Sequence, residues 1–162
     1  MPETPPEHNA GWYFDDFAPG QVVRTMGRTV TEADIVNFVT WAGIFEETFI
    51  NADFARKETL FKARVAPGFL AFVLAEGLYV LSGHTHHGRA LLGIDEVRLT
   101  APVVAGDTIY AEVAVVEARP SASRPGNGVV TLSHSVRKGE GVEVMRYRTT
   151  RLIESRAPKD GD

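Results

Sequence analysis

The sequence predicts an α+β fold in which a five-stranded antiparallel sheet wraps one long central helix. An apolar run at residues 65–82 supplies the helix, and four segments rich in Val, Ile, Thr and Tyr between residues 91 and 153 supply strands. The connections between these segments are too short for crossover helices, so we expect an antiparallel meander. One face of such a sheet needs an apolar cover, which the helix provides.

The apolar run begins as a buried helix should. Pro67 lacks a backbone N–H at a position where that donor would have no internal partner, and roughly fourteen residues with almost no polar side chain follow Gly68. Glu76 and Gly77 interrupt a run that is already shorter than the roughly twenty apolar residues of a membrane span. We therefore expect a core helix that is buried on all sides.

Glu76 is the one charged residue in this helix. Its neighbours at helical spacing are Phe69, Phe72, Val73 and Val80, so it belongs to no polar stripe. A carboxylate in this setting must be paired, must lie at a cleft, or must be shifted toward its neutral form. Glu76 is thus a candidate for chemistry and equally a candidate for an ion pair with an arginine.

The segments before the helix predict one strand and two shorter helices. The strand is expected at residues 22–26 and is the fifth strand of the sheet. Thr31 and Asp34 have the spacing of a capping box before a helix that ends at Gly43. Asn51 caps a second helix. These helices form an overhang beside the sheet.

Composition bounds the domain organisation and the class of partner. A chain of 162 residues that is 44% hydrophobic forms one domain, which we place at residues 11–154, with disordered ends at 1–10 and 155–162. A net charge of −4 without a basic run argues against nucleic acid as a partner. Without cysteine there is no disulfide or thiolate site. The polar, acidic start is not a secretory signal, so we expect a cytoplasmic protein.

Three histidines lie in a glycine-bounded loop at residues 83–88. As metal ligands they need a carboxylate or a fourth nitrogen nearby, and the spacing supplies neither. We therefore expect an exposed loop, with no metal site and no cofactor.

Several short motifs, in order along the chain, resemble the MaoC-like dehydratases, which include the (R)-specific enoyl-CoA hydratases. The resemblance covers about residues 12–153 and rests on segments 14–21, 27–35, 53–55, 64–68 and 102–109. It implies the hot-dog fold, an acyl-CoA thioester as substrate, a role in fatty acid metabolism, and a homodimer or higher homo-oligomer in which the sheets pair edge to edge.

The resemblance also implies where the substrate binds. Family enzymes place the thioester carbonyl against a backbone N–H at the start of the central helix, a position that Gly68 and Pro67 keep. Arg64 is a candidate for binding the CoA phosphates, as are Arg24, Arg28 and Arg89. The Asp and His with which the family moves protons fall on Ile44 and Phe49, and neither side chain can move a proton.

Three functions follow from these residues. In the first, Glu46 or Glu47 takes over proton transfer in the hydration of an enoyl-CoA or in the reverse dehydration, with apolar neighbours raising a carboxyl pKa. In the second, Glu76 serves thioester hydrolysis, because some hot-dog thioesterases carry an acid at this spacing in the central helix. In the third, the chain binds acyl-CoA without chemistry. The first is the function we favour from the sequence.

Overall fold

The computed structural model describes residues 11–156. Disorder is predicted for residues 1–10 and 155–162, and of these, residues 1–10 and 157–162 lie outside the described residues. In chain order the elements are a 3-10 turn (Phe14–Asp16), β1 (Val22–Arg24), β2 (Arg28–Thr29), α1 (Glu32–Ala42), α2 (Glu47–Ile50), α3 (Ala52–Glu58), α4 (Gly68–Leu81), β3 (Gly88–Leu99), β4 (Thr108–Pro120), β5 (Asn127–Lys138) and β6 (Val142–Glu154). Within the described part of the chain, no helix is long and apolar enough to cross a bilayer.

The sheet is antiparallel, with strand order β1-β4-β5-β6-β3 and with β2 as a short addition paired to β4. The predicted meander is wrong at one point, because β3 pairs with β6 at the far edge instead of with β4. The connection between β3 and β4 crosses the end of the sheet and passes beneath the start of α4. There Val104 forms an antiparallel bridge with Val65, and Ala66 N–H donates to the Val103 carbonyl.

Helix α4 lies against the inner face of this sheet and forms the core with it. Leu70, Leu74 and Leu78 are buried on one side of the helix, where they pack in a cluster with residues such as Ile109 and Met145. Burial of this apolar surface is the main favourable contribution to folding. The central helix wrapped by a sheet is therefore present as predicted.

The prediction that α4 is buried on all sides is wrong. Phe69, Val73 and Val80 are exposed, with 75% of Phe69 accessible, and they share one face of the helix. The sheet covers only the opposite side. Phe69 lines a common hollow with Ile94, Val97 and Leu99 of the neighbouring edge strand β3, and these exposed residues together form an apolar surface, which we call the α4–β3 face.

The predicted helix signals match the local structure. The Thr31 and Asp34 side chains each bond the other's backbone N–H, and the helix ends at Gly43 with a φ of 70°. Asn51 Oδ1 accepts from the backbone of α3 as expected. The 3-10 turn, β2 and the single turn of α2 were not predicted, because each is too short to show a period. Arg156, assigned to the disordered end, forms an ion pair with Asp16.

The histidine loop is not simply exposed, which corrects our expectation. His87 stacks on Tyr13 with 3.5 Å between ring centroids, and His84 packs against Trp12 at 4.4 Å. Both histidines are half-buried, and burial lowers the pKa of His84. The aromatic segment near the amino terminus needs an apolar contact surface, and the imidazole rings supply it.

Edge strand β3 is irregular. Its register against β6 shifts at three places, the last of them between Asp95 and Arg98. Glu96, in this last bulge, has a φ of 54°, which residues other than glycine rarely adopt. The bulge lies just before the residues of β3 that reach the start of α4.

Candidate functional site

The amino end of α4 is held in place by backbone contacts. Pro67 is the N-cap and Gly68 the first helical residue, and the bond from Ala66 N–H to the Val103 carbonyl, 2.7 Å long, ties the approach to the loop after β3. That loop is itself anchored, because Lys138 Nζ contacts Asp107 Oδ2 at 2.8 Å. The first N–H groups of a helix have no internal acceptor and carry its positive dipole end. Gly68 therefore presents a fixed donor.

Two cavities meet at this helix end. One has a volume of about 330 Å³ and the other about 240 Å³, and Gly68, Leu99 and Met145 line both. The larger cavity extends beneath the helix toward the overhang and the loop after β3. The smaller lies between α4 and β3.

The residues lining these cavities are almost all apolar. Among the described residues, the larger cavity has one polar side chain, Thr100, whose hydroxyl donates to the Glu143 carbonyl. The lining of the smaller cavity is Gly68, Phe69, Phe72, Ile94, Val97, Leu99 and Met145. No carboxyl, imidazole or ammonium group from residues 11–156 lines either cavity. The site offers a backbone donor in apolar surroundings.

The overhang reaches the larger cavity through Phe49, which is half-buried in its wall. Ile44 is half-buried as well, at the end of α1. Glu46 and Glu47 are exposed at the start of α2, and Glu47 Oε1 accepts a hydrogen bond from the Asn51 side chain at 3.1 Å. The two acids thus lie within three residues of the cavity wall without lining it.

The arginines considered for the CoA phosphates all have partners within the chain. Arg64 Nη1 lies 3.1 Å from Glu32 Oε1, and Arg28 and Arg89 pair with Asp34 and Glu154. Arg24 stacks over the Tyr110 ring. Of the predicted substrate-binding residues, the structure brings Pro67 and Gly68 to the cavities, and Arg64 lies just before them in the chain.

Glu76 belongs to a separate polar cluster between α4 and the sheet. Its Oε1 accepts from the Tyr147 hydroxyl at 2.8 Å, and its Oε2 forms an ion pair with Arg151. His134 Nδ1 lies 3.7 Å from the same carboxylate, while its Nε2 is 2.9 Å from Thr149 Oγ1. We call these residues the Glu76 cluster. None of the five lines the two cavities at Gly68.

In the Glu76 cluster, the charged groups are the Glu76 carboxylate and the Arg151 guanidinium. Burial, with the charge of Arg151 as a second cause, lowers the pKa of His134 to about 3, so this imidazole is neutral at neutral pH. Burial and the Glu76 charge raise the pKa of Tyr147, which keeps its hydroxyl protonated as a donor. Arg151 therefore balances Glu76. This is the structural ion pair that the sequence analysis kept as one interpretation.

Metal ligation has no support in the described residues, because no group of three or more His, Asp or Glu side chains there could hold an ion. The histidines of the loop instead pack against the amino-terminal aromatic segment.

Sequence reasoning missed the walls of the site. Leu99 and Met145 reach Gly68 only because β3 and β6 are neighbours, which strand patterns alone do not reveal. The partners of Glu76 left a weak signal, since Tyr147, Thr149 and Arg151 alternate along β6 and share one face.

Comparisons with known proteins agree with this architecture. A family model described as mesaconyl-CoA hydratase matches residues 4–162. The chain is 30% identical over 155 residues to a mesaconyl-CoA hydratase of Haloarcula marismortui, covering 94% of this chain and 42% of that protein. It is 38% identical over 98 residues to protein MaoC of Klebsiella aerogenes, covering 60% of this chain and 28% of that protein.

A crystal structure of a monoamine oxidase regulatory protein from Archaeoglobus fulgidus superposes with a TM-score of 0.80 at 31% identity, covering 91% of this chain and 97% of that one. The chain spans less than half the length of the curated relatives it matches. The predicted hot-dog fold and the MaoC-like resemblance are confirmed. The chain belongs to the mesaconyl-CoA hydratase family of MaoC-like proteins.

Proposed function

We propose that the chain binds an acyl-CoA thioester with the carbonyl oxygen at the Gly68 amide and that it acts as an enoyl-CoA hydratase or dehydratase. The observation that carries this proposal is the meeting of two apolar cavities at the amino end of α4. A donor fixed there is best placed to stabilise the negative charge that develops on a thioester oxygen. Apolar walls lower the local dielectric and strengthen that interaction.

Hydration adds the hydroxyl of water to the β carbon and a proton to the α carbon of the enoyl group, so it needs a base and an acid. Glu46 and Glu47 are our candidates because α2 borders the larger cavity through Phe49. For either carboxyl to reach the substrate, α2 must shift when the ligand binds.

Binding without chemistry is the second candidate, and one observation favours it. The described residues that line both cavities include no group able to transfer a proton at neutral pH. Thioester hydrolysis by Glu76 has less support, because that carboxylate is held by Arg151 and Tyr147 away from the cavities.

Two measurements on the parent and on the Glu46→Gln/Glu47→Gln variant test the proposal. We expect crotonyl-CoA to raise the Tm of both proteins, because a ligand that binds the native state stabilises it. We expect only the parent to hydrate crotonyl-CoA, with kcat/KM falling at least about 100-fold in the variant. The hydroxyacyl product, followed by loss of the enoyl absorbance, is the readout.

A matched control is the Glu58→Gln variant, which changes an exposed acid at the end of α3 and leaves both measurements unchanged. Thermal stabilisation without turnover by the parent would replace the enzymatic proposal with the binding one. Release of free CoA without hydroxyacyl product would favour hydrolysis.

We also propose that the protein works in cytoplasmic fatty acid metabolism, where CoA thioesters are used.

We further propose that a second copy of this chain covers the α4–β3 face, giving a homodimer. An exposed edge strand beside exposed Phe69 and Val73 supports pairing, since monomers rarely expose large apolar patches. A Val73→Asp variant is expected to be monomeric by light scattering. The control Val116→Asp, in an exposed position on β4, is expected to keep the mass of the parent.

A further inference from the structure

Leu99 stands where the two cavities meet. It is the last residue of β3, and its side chain lines the 330 Å³ cavity and the 240 Å³ cavity alike. A Cβ atom added to Gly68 would lie 2.6 Å from Leu99 Cδ1, so the methyl groups of Leu99 rest against the α carbon of the residue that presents the donor. The three heavy atoms nearest to such a Cβ atom all belong to the Leu99 side chain.

We infer that Leu99 is a specificity-determining residue that divides a pantetheine cavity from an acyl cavity, and that the site takes thioesters of uncharged aliphatic acyl groups. This inference rests on the proposed function, because it uses the thioester carbonyl at Gly68 to place the two halves of the ligand. Leu99 is 64% exposed, so its side chain is not part of the packed core.

The polarity of each cavity indicates whether the pantetheine arm or the acyl chain of the ligand binds there. The pantetheine arm carries amides, which need polar partners, and the larger cavity provides the Thr100 hydroxyl together with the backbone of the loop after β3. Within residues 11–156, the side chains that line the smaller cavity are all apolar, among them Phe72, Ile94 and Val97. An acyl chain gains free energy there by leaving water, and it needs no polar partner.

The same lining disfavours a charged acyl group. A mesaconyl group carries a free carboxylate, and burying it without a cation or donor is costly. None of the described residues that line the smaller cavity is basic. This chain therefore prefers an uncharged acyl group, in contrast to the substrate named for its mesaconyl-CoA hydratase relatives.

Calorimetric titration with butyryl-, hexanoyl-, octanoyl- and mesaconyl-CoA tests the inference on the intact chain. For the parent, Kd is expected to fall about fourfold per added methylene until the smaller cavity is filled, and mesaconyl-CoA is expected to bind at least 10-fold more weakly than hexanoyl-CoA. Leu99→Ala joins the cavities and moves the tightest binding to a longer chain. Val97→Trp fills the smaller cavity and weakens octanoyl-CoA at least 10-fold while sparing butyryl-CoA.

The Leu92→Ala variant is the matched control, because Leu92 is an exposed leucine on the same strand that lines neither cavity. Its chain-length profile is expected to equal that of the parent. If Leu99→Ala and Val97→Trp leave the chain-length profile unchanged, the proposed role of Leu99 is wrong. If mesaconyl-CoA binds as tightly as hexanoyl-CoA, the proposed class of acyl group is wrong.

Failure of the proposed function has a different signature. The amide signal of Gly68 in a ¹⁵N spectrum is expected to shift when hexanoyl-CoA is added to the parent. Absence of any acyl-CoA binding, or binding that leaves the Gly68 signal unmoved, would remove the thioester site itself. A shifted Gly68 signal with an unaltered chain-length profile would remove only the inference about Leu99.

Discussion

Replacing Arg151 with methionine is expected to lower the free energy of unfolding by about 3 kcal/mol, because it leaves the Glu76 carboxylate buried without its counter-charge. The two side chains are only 11% and 16% exposed, so water screens the pair poorly. Tyr147 still donates one hydrogen bond to Glu76, but a single neutral donor does not replace a guanidinium. Urea unfolding monitored by circular dichroism gives the difference.

Two further variants make this result specific. Replacing both Glu76 and Arg151 with leucine removes the charges together and is expected to recover most of the lost stability. Arg146→Leu breaks an exposed pair with Glu143, whose atoms are 3.8 Å apart, and is expected to change stability by less than about 0.5 kcal/mol. A stable Arg151→Met variant would contradict the assignment of Glu76 to a structural pair and reopen its role in hydrolysis.

The second large effect is expected when the Asp and His that the MaoC-like resemblance implies are introduced at positions 44 and 49. The Ile44→Asp/Phe49→His variant is expected to hydrate crotonyl-CoA at least about 100-fold faster than the parent, because positioned acid and base groups contribute this much or more. Phe49 already lines the larger cavity, so an imidazole at position 49 faces the space beside Gly68. Initial rates of hydration at neutral pH measure the gain.

The control for this rate gain keeps side chains of similar size and removes the groups that can transfer protons. Ile44→Asn/Phe49→Gln introduces polar side chains of similar size that do not transfer protons, and it is expected to stay at the parental rate. If the Asp and His variant binds crotonyl-CoA and gains no rate, then an acid and a base at these two positions are not sufficient to speed hydration in this chain.

Local signals predicted the elements well. The capping box at Thr31, the left-handed Gly43 and the Pro67-Gly68 entry each fix a helix boundary by backbone hydrogen bonding within a few residues, and the structure has all of them. The same local signals predicted that the helix begins at Gly68, whereas the binding role of Gly68 was inferred from the resemblance to the MaoC-like family. Such boundaries depend on neighbours in sequence.

What the sequence did not reveal depends on contacts between distant segments. The pairing of β3 with β6 brings Leu99 and Met145 to Gly68. The sequence of a single strand does not reveal which strands will be its neighbours in the sheet. The exposure of Phe69 follows from how far the sheet wraps α4, and apolar character predicted burial there. Whether an apolar residue is covered by its own chain or left open cannot be judged from its type.

The irregular register of β3 has a consequence for behaviour at high concentration. A regular edge would template the addition of strand after strand and so seed fibrils, whereas one interrupted three times, with Glu96 out of line, offers only short stretches of free N–H and C=O groups. Growth without limit is disfavoured on such an edge. The protein is therefore expected to pair through this apolar edge without growing into fibrils.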